Sequence, residues 1–108
     1  MTDHKEYSKD GFLIAEGKLD YNKQKFGLWK EYNKKGVVVI ESHYHKNKKH
    51  GLYVSYYDNG NILCKGWYKE DLKDGEFKLF NENEKLILTQ TYFKDKLFSE
   101  YKEPDFRR

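Results

Sequence analysis

Cysteine and proline occur once each, as Cys64 and Pro104, and arginine only as the terminal pair Arg107 and Arg108. A single cysteine excludes a disulfide scaffold and fits a reducing compartment, so a cytoplasmic location is expected. Scarce arginine removes the side chain best suited to bidentate phosphate recognition. That argues against nucleic-acid binding, although 21 basic residues face 18 acidic ones for a net charge of +3. No apolar run approaches the roughly 18 residues of a membrane-spanning helix. The polar segment Met1–Asp10 has no signal-peptide character. Apolar residues are also few, 37% of the chain, against the usual 45–50% or so. Aromatic residues alone make 18% of the chain, with ten tyrosines and seven phenylalanines. The 108 residues suit one domain. Its apolar surface is expected to be shallow, aromatic and half-exposed.

What is present is a repeat. Gly27-Leu28-Trp29-Lys30-Glu31-Tyr32 returns as Gly51-Leu52-Tyr53-Val54-Ser55-Tyr56 and as Gly75-Glu76-Phe77-Lys78-Leu79-Phe80, at a spacing of 24. The following segments, Gly36–Tyr44, Gly60–Tyr68 and Glu84–Tyr92, repeat in step. Glu6–Glu16 matches Glu31–Glu41 at a spacing of 25, with the extra residue in the connection Asp20–Phe26. Four units result, at about 2–26, 27–50, 51–74 and 75–98. Ser99-Glu100-Tyr101 could open a fifth, but residues 99–108 read as a C-terminal tail.

Each unit reads as two short strands around a turn rich in Asn, Asp and Gly, residues that tolerate positive φ. The turns are Asn33–Gly36, Tyr57–Gly60 and Asn81–Glu84. Glu84 breaks the glycine rule, and the third turn is expected to differ. Strict alternation puts Val38, Ile40, Ser42 and Tyr44 on one face and Val37, Val39, Glu41 and His43 on the other. The fold class is therefore all-β: a single-layer antiparallel meander of about four two-stranded hairpin repeats, seven or eight strands in all. With no segment left to cover it, the sheet must rely on cross-strand stacks, each contributing roughly 0.2–1 kcal/mol. Three ladders offer themselves: Trp29/Tyr53/Phe77, Tyr7/Tyr32/Tyr56/Phe80 and Leu19/Tyr44/Tyr68/Tyr92.

Gly27/Trp29/Tyr32, Gly36, Gly51/Tyr53/Tyr56, Asn59-Gly60 and Gly75/Phe77/Phe80 resemble the MORN repeat in its bacterial variant form. The resemblance covers nearly the whole chain. The departures are Glu84 for a turn glycine, Ser99 for a leading glycine, and a first unit without its own Gly-x-Trp start. It implies an interaction or membrane-associated scaffold without catalytic residues. It also implies similarity to antitoxin or immunity components.

Chemistry-bearing clusters are sparse. His43 and His45 share a strand face, but metal sites usually need three or four ligands. Solvent-facing strand-end histidines are the simpler reading, and no metal or cofactor is expected. Cys64 falls on the face of Ile40 and Leu88 as a small buried side chain. No triad, phosphate-cradling loop or paired-carboxylate site is visible, so no enzyme is expected. Lys46, Lys48 and Lys49 form the densest basic stretch, in an inter-unit turn.

Trp67 breaks the residue types at its repeat position, held elsewhere by His43 and Thr91. By alternation it shares a face with Val39, Leu63 and Ile87. This exposed face, with His43 and the lysines Lys46, Lys48 and Lys49, is the expected protein-binding surface. The expected function is non-catalytic: a small inhibitor, such as an immunity protein, antitoxin or phage-encoded anti-defence protein, that occludes a protein target. The alternatives are an adaptor on an anionic membrane surface, through the lysine-rich turns, or a homo-oligomeric scaffold.

Overall fold

The computed structural model describes residues 1–104. Arg107 and Arg108 lie outside the described residues. Every regular element in that range is a β-strand, and strand follows strand in one antiparallel sheet. The strands are β1 (Thr2–Tyr7), β2 (Leu13–Leu19), β3 (Lys25–Tyr32), β4 (Val38–His45), β5 (Lys48–Tyr56), β6 (Ile62–Lys69), β7 (Leu72–Lys73), β8 (Gly75–Phe80), β9 (Leu86–Phe93) and β10 (Lys96–Lys102). The spatial order is β1-β2-β3-β4-β5-β6-β8-β9-β10, with the short β7 also on β6. The molecule measures 52 × 32 × 19 Å, as a one-layer sheet should. No helix among the described residues is long and apolar enough to cross a membrane.

The strand count exceeds the expected seven or eight for two reasons. Asp74 interrupts the strand that leads from the third unit into the fourth, leaving β7 and β8. The start of the expected tail, Ser99–Lys102, belongs to β10 and pairs with β9.

Two kinds of turn join the strands. Turns within units close with an i→i+3 bond, as from Gly36 N–H to the Asn33 carbonyl at 3.0 Å. Glu84 does the same to Asn81 at 3.1 Å, holding φ at 68°. The third turn thus keeps the form of the others, and Glu84 bears the left-handed backbone that glycine holds elsewhere. Turns between the later units are two-residue reversals with both φ positive: Lys46-Asn47, Glu70-Asp71 and Lys94-Asp95. Each reversal is tied to the unit before it. The Asn47 side-chain oxygen accepts from Lys25 N–H, Asp71 from Lys49 and Asp95 from Lys73, at 2.7, 2.7 and 3.2 Å. Backbone bonds run alongside, from Asn47 N–H to Lys25 and from Asp71 N–H to Lys49. Such clips couple nearest neighbours, which is how an open repeat array holds together.

Most of the core lies on one face, here called the front; Val54, 7% exposed, is buried on the other. Trp29 and Phe77 are 2% and 3% exposed although no second layer covers them. Their rings lie over backbone. A Cβ on Gly17 would stand 2.4 Å from the Trp29 ring, and one on Gly66 would stand 2.3 Å from Phe77. Two of the aromatic ladders interdigitate there by edge contacts. Tyr53 meets Tyr68 at 5.4 Å, and Phe77 meets Tyr68 and Tyr92 at 5.5 Å each. Lysines close the stack from above. Lys25, Lys49 and Lys73 place Nζ over Trp29 and Tyr44, Tyr53 and Tyr68, and Phe77 and Tyr92, at 4.4–5.3 Å from the ring centres.

A bulge recurs in every hairpin and corrects the simple alternation. Glu31 pairs Ile40 but Tyr32 pairs Val38, so Val39 is skipped. Ile14, Leu63 and Ile87 are skipped in the same way. One extra residue reverses the parity beyond it. Val38, Ile62 and Leu86 therefore sit across from Tyr32, Tyr56 and Phe80, on the face opposite to Ile40, Cys64 and Leu88.

Candidate functional site

Large apolar side chains are exposed on both faces, most of all at the C-terminal edge, where Phe93, Leu97, Phe98 and Tyr101 are 52–80% exposed. On the back, four residues line up in one row. Leu28 stands across from His43, and Leu52 across from Trp67. The His43 ring bridges the two pairs: its Nδ1–H donates to the Leu52 carbonyl at 3.1 Å, which fixes the tautomer. A row Leu28–His43–Leu52–Trp67 thus crosses four strands. Trp67 is 50% exposed, with Leu28 and Leu72 at 42% and 40%. Trp67 points to the back by alternation with Gly66, whose front face lies under the Phe77 ring. An indole half in water with aliphatic neighbours suits an interface anchor.

The structure separates the other expected contact residues. Val39 lies with Ile14, Trp29 and Tyr44 around one recess of the front face. Trp67 is on the back, so the alternation that joined them fails at the bulge. Leu63 and Ile87 occupy the equivalent bulge positions, at the hairpin-turn ends of their strands rather than in the Trp67 row. Lys49 is committed to the fold, with its backbone clipped by Asp71 and its ammonium over Tyr53 and Tyr68. Lys46 and Lys48 are exposed at the turn.

Leu28, Leu52 and Leu72 belong to the surface but were not among the expected residues. The signal for the first two was the leucine after each leading glycine, Gly27-Leu28 and Gly51-Leu52, which gives way to Glu76 in the next unit.

The histidines do not converge on a metal-binding arrangement. His43 is held by Leu52, while the His50 Nδ1 accepts from Glu70 N–H at 3.3 Å. The His45 and His50 rings stand 6.1 Å apart. No group of three potential ligands forms among the described residues. Cys64 is half-buried between Ser55 and Leu79, and burial pushes its thiol pKa up, away from the reactive thiolate.

The remaining ladder also lies on the back. Tyr32 donates to the Glu16 carboxylate and Tyr56 to that of Glu41. Both phenols are pushed up to about 12. The hydrogen bond to Glu16 is the main cause for Tyr32, and burial for Tyr56.

One sheet, hairpins of constant period, clips from unit to unit and a core of aromatics laid on glycine define a one-layer β-hairpin repeat protein. A family model described as the MORN repeat variant matches residues 27–46, 49–70 and 73–95. These segments make up more than half of the chain, and the chain belongs to that family. No curated protein and no solved structure matches it.

Proposed function

We propose that the chain is a non-catalytic protein-binding module whose contact surface is the back face around Trp67. The observation that carries this reading is Trp67 itself. It is a large side chain half in water on the back face, in a row with Leu52, His43 and Leu28. Tryptophan is among the residue types that most often anchor protein interfaces.

The proposed action is inhibition by occlusion. A rigid one-layer sheet can lie across a target's active site without supplying chemistry of its own. An immunity protein, an antitoxin or a phage-encoded blocker of a defence complex would each work this way in the cytoplasm. The resemblance to the bacterial variant of the repeat supports that class. Copurification from the source cells tests the reading. One stoichiometric protein that is retained by the wild type and lost with Trp67→Ala is the expected result. A partner held equally by both forms would overturn the face assignment.

A further inference from the structure

On the back face, charges alternate across the first four strands and then cease to. Lys5 stands opposite Glu16, Glu16 opposite Lys30, and Lys30 opposite Glu41. Val54 follows, and beyond it Lys65 faces Lys78 directly. Like charges opposite each other in a sheet destabilise it, with Cβ atoms only about 4.5–5.5 Å apart. Both lysines are exposed, and neither has an ion-pair partner among the described residues. The repeat supplies an acid at this position twice, as Glu16 and Glu41, and a base only here. Lys65 and Lys69 flank Trp67 on the same side of β6. The misplaced positive pair therefore adjoins the exposed indole.

We infer that Lys65 and Lys78 form a receiving site for the carboxylates of an acidic protein segment, which docks over Trp67. This rests on the binding reading above and names the chemistry of the partner. A carboxylate placed between the two ammonium groups would relieve the repulsion that the free sheet retains. The site is small. Glu41 lies beyond Val54 on one side, and Glu76, two residues before Lys78 on the same face of β8, stands on the Trp67 side of the pair, so only the two ammonium groups themselves receive the carboxylate. A nucleic-acid backbone would need a longer basic track, and none continues past Glu41. Lysine supplies point charges rather than the planar fork that suits phosphate. The neighbouring Leu52 and Leu72 suit side chains interspersed with the acids.

The test is titration of the isotope-labelled full chain with an oligoglutamate peptide at low salt, read by amide chemical shifts. Expected are shifts centred on Lys65, Trp67 and Lys78 that shrink as salt rises. Lys65→Glu should weaken binding at least tenfold while raising the denaturation midpoint, because it removes the repulsion. Lys65→Gln should fall between. Four outcomes would overturn the inference: no shifts, shifts centred on Lys46–Lys49, tighter binding to single-stranded DNA or anionic vesicles, or a lower midpoint for Lys65→Glu. Failure here is separable from failure of the binding reading. If Trp67→Ala releases a cellular partner but oligoglutamate does not bind, only the acidic preference is lost. If oligoglutamate binding survives Trp67→Ala, the acid site stands and the indole's role fails.

Discussion

The hydroxyl of Tyr56 donates to the carboxylate of Glu41 on the neighbouring strand, and the pairing follows the repeat. Tyr32 and Glu16 make the same contact one unit earlier. One unit later both partners change together: Phe80 has no hydroxyl to give, and Lys65 stands where the carboxylate would be. Tyrosine and glutamate thus act as one element, kept or dropped as a pair.

Alkaline pH should dissolve this element. Tyr32 and Tyr56 have pKa values pushed up to about 12 from 10, and burial raises Tyr68 in the front-face stack to the same level. A raised pKa for a group that becomes anionic means the folded state holds its proton longer. Its contribution is therefore complete below pH 10 and is lost between pH 10 and 12. Denaturation midpoints should fall steeply across that window. Tyr56→Phe should flatten part of the fall and cost about 1 kcal/mol at neutral pH. A slope unchanged by Tyr56→Phe would show that the hydrogen bond carries none of it.

Restoring the pair in the third unit should stabilise the sheet. Lys65→Glu with Phe80→Tyr recreates the arrangement of Glu41 and Tyr56 and sets an acid opposite Lys78. In a double-mutant cycle by chemical denaturation, the coupling should be favourable by about 1 kcal/mol. Simple additivity would mean that the position of the pair, and not its chemistry, governs the contact.

Close approach on the front face sets opposite expectations for two small residues. Gly66→Ala puts a methyl into the space of the buried Phe77 ring and should cost about 1–3 kcal/mol. Ser42 is 1% exposed, and its hydroxyl has no hydrogen-bond partner in the structure. Ser42→Ala removes that unmet group and should stabilise by about 1 kcal/mol. Thermal melts of the two variants should therefore move in opposite directions.

Glu84 should be improvable. It holds φ at 68°, a conformation that costs a residue with a side chain roughly 1–2 kcal/mol and glycine almost nothing. Part of that gain is offset by the greater freedom of glycine in the unfolded chain. Glu84→Gly should raise stability by about 0.5–1 kcal/mol. A loss would mean that the glutamate side chain makes a contact worth more than the strain.

The period, the hairpins and the one-layer sheet were legible because each unit repeats its glycines and aromatics at fixed spacing. The ladder Trp29/Tyr53/Phe77 was legible for the same reason. Facing was only half legible. Val39, Leu63 and Ile87 look like ordinary members of an alternating strand, yet each is the bulged residue of its hairpin. Nothing in their side chains marks a bulge; the marker is the strand pairing, which a single strand does not contain.

Register at the C-terminal edge was hidden similarly. Between Tyr68↔Lys73 and Lys65↔Lys78, the newer strand spends two more residues than the older. That excess accommodates Gly75 at φ 88°. Ser99 takes the glycine's place in β10, and the excess between Tyr92↔Leu97 and Thr91↔Ser99 falls to one residue. Tyr101 consequently lands opposite Thr89 and does not extend the Phe77 series. The role of Lys25, Lys49 and Lys73 was also unread, because their charge suggests solvent while their stems reach back over the rings.

The most direct measurement of the central claim is partner affinity for three forms of the protein: wild type, Trp67→Ala and Leu97→Ala. Leu97 is 52% exposed and stands across from Tyr92, on the front. If the back face binds, Trp67→Ala should weaken affinity about thirtyfold, as loss of an interface anchor worth about 2 kcal/mol does. Leu97→Ala should then bind as the wild type does. Normal binding by Trp67→Ala together with a loss in Leu97→Ala would contradict the account and move the interface to the other side of the sheet.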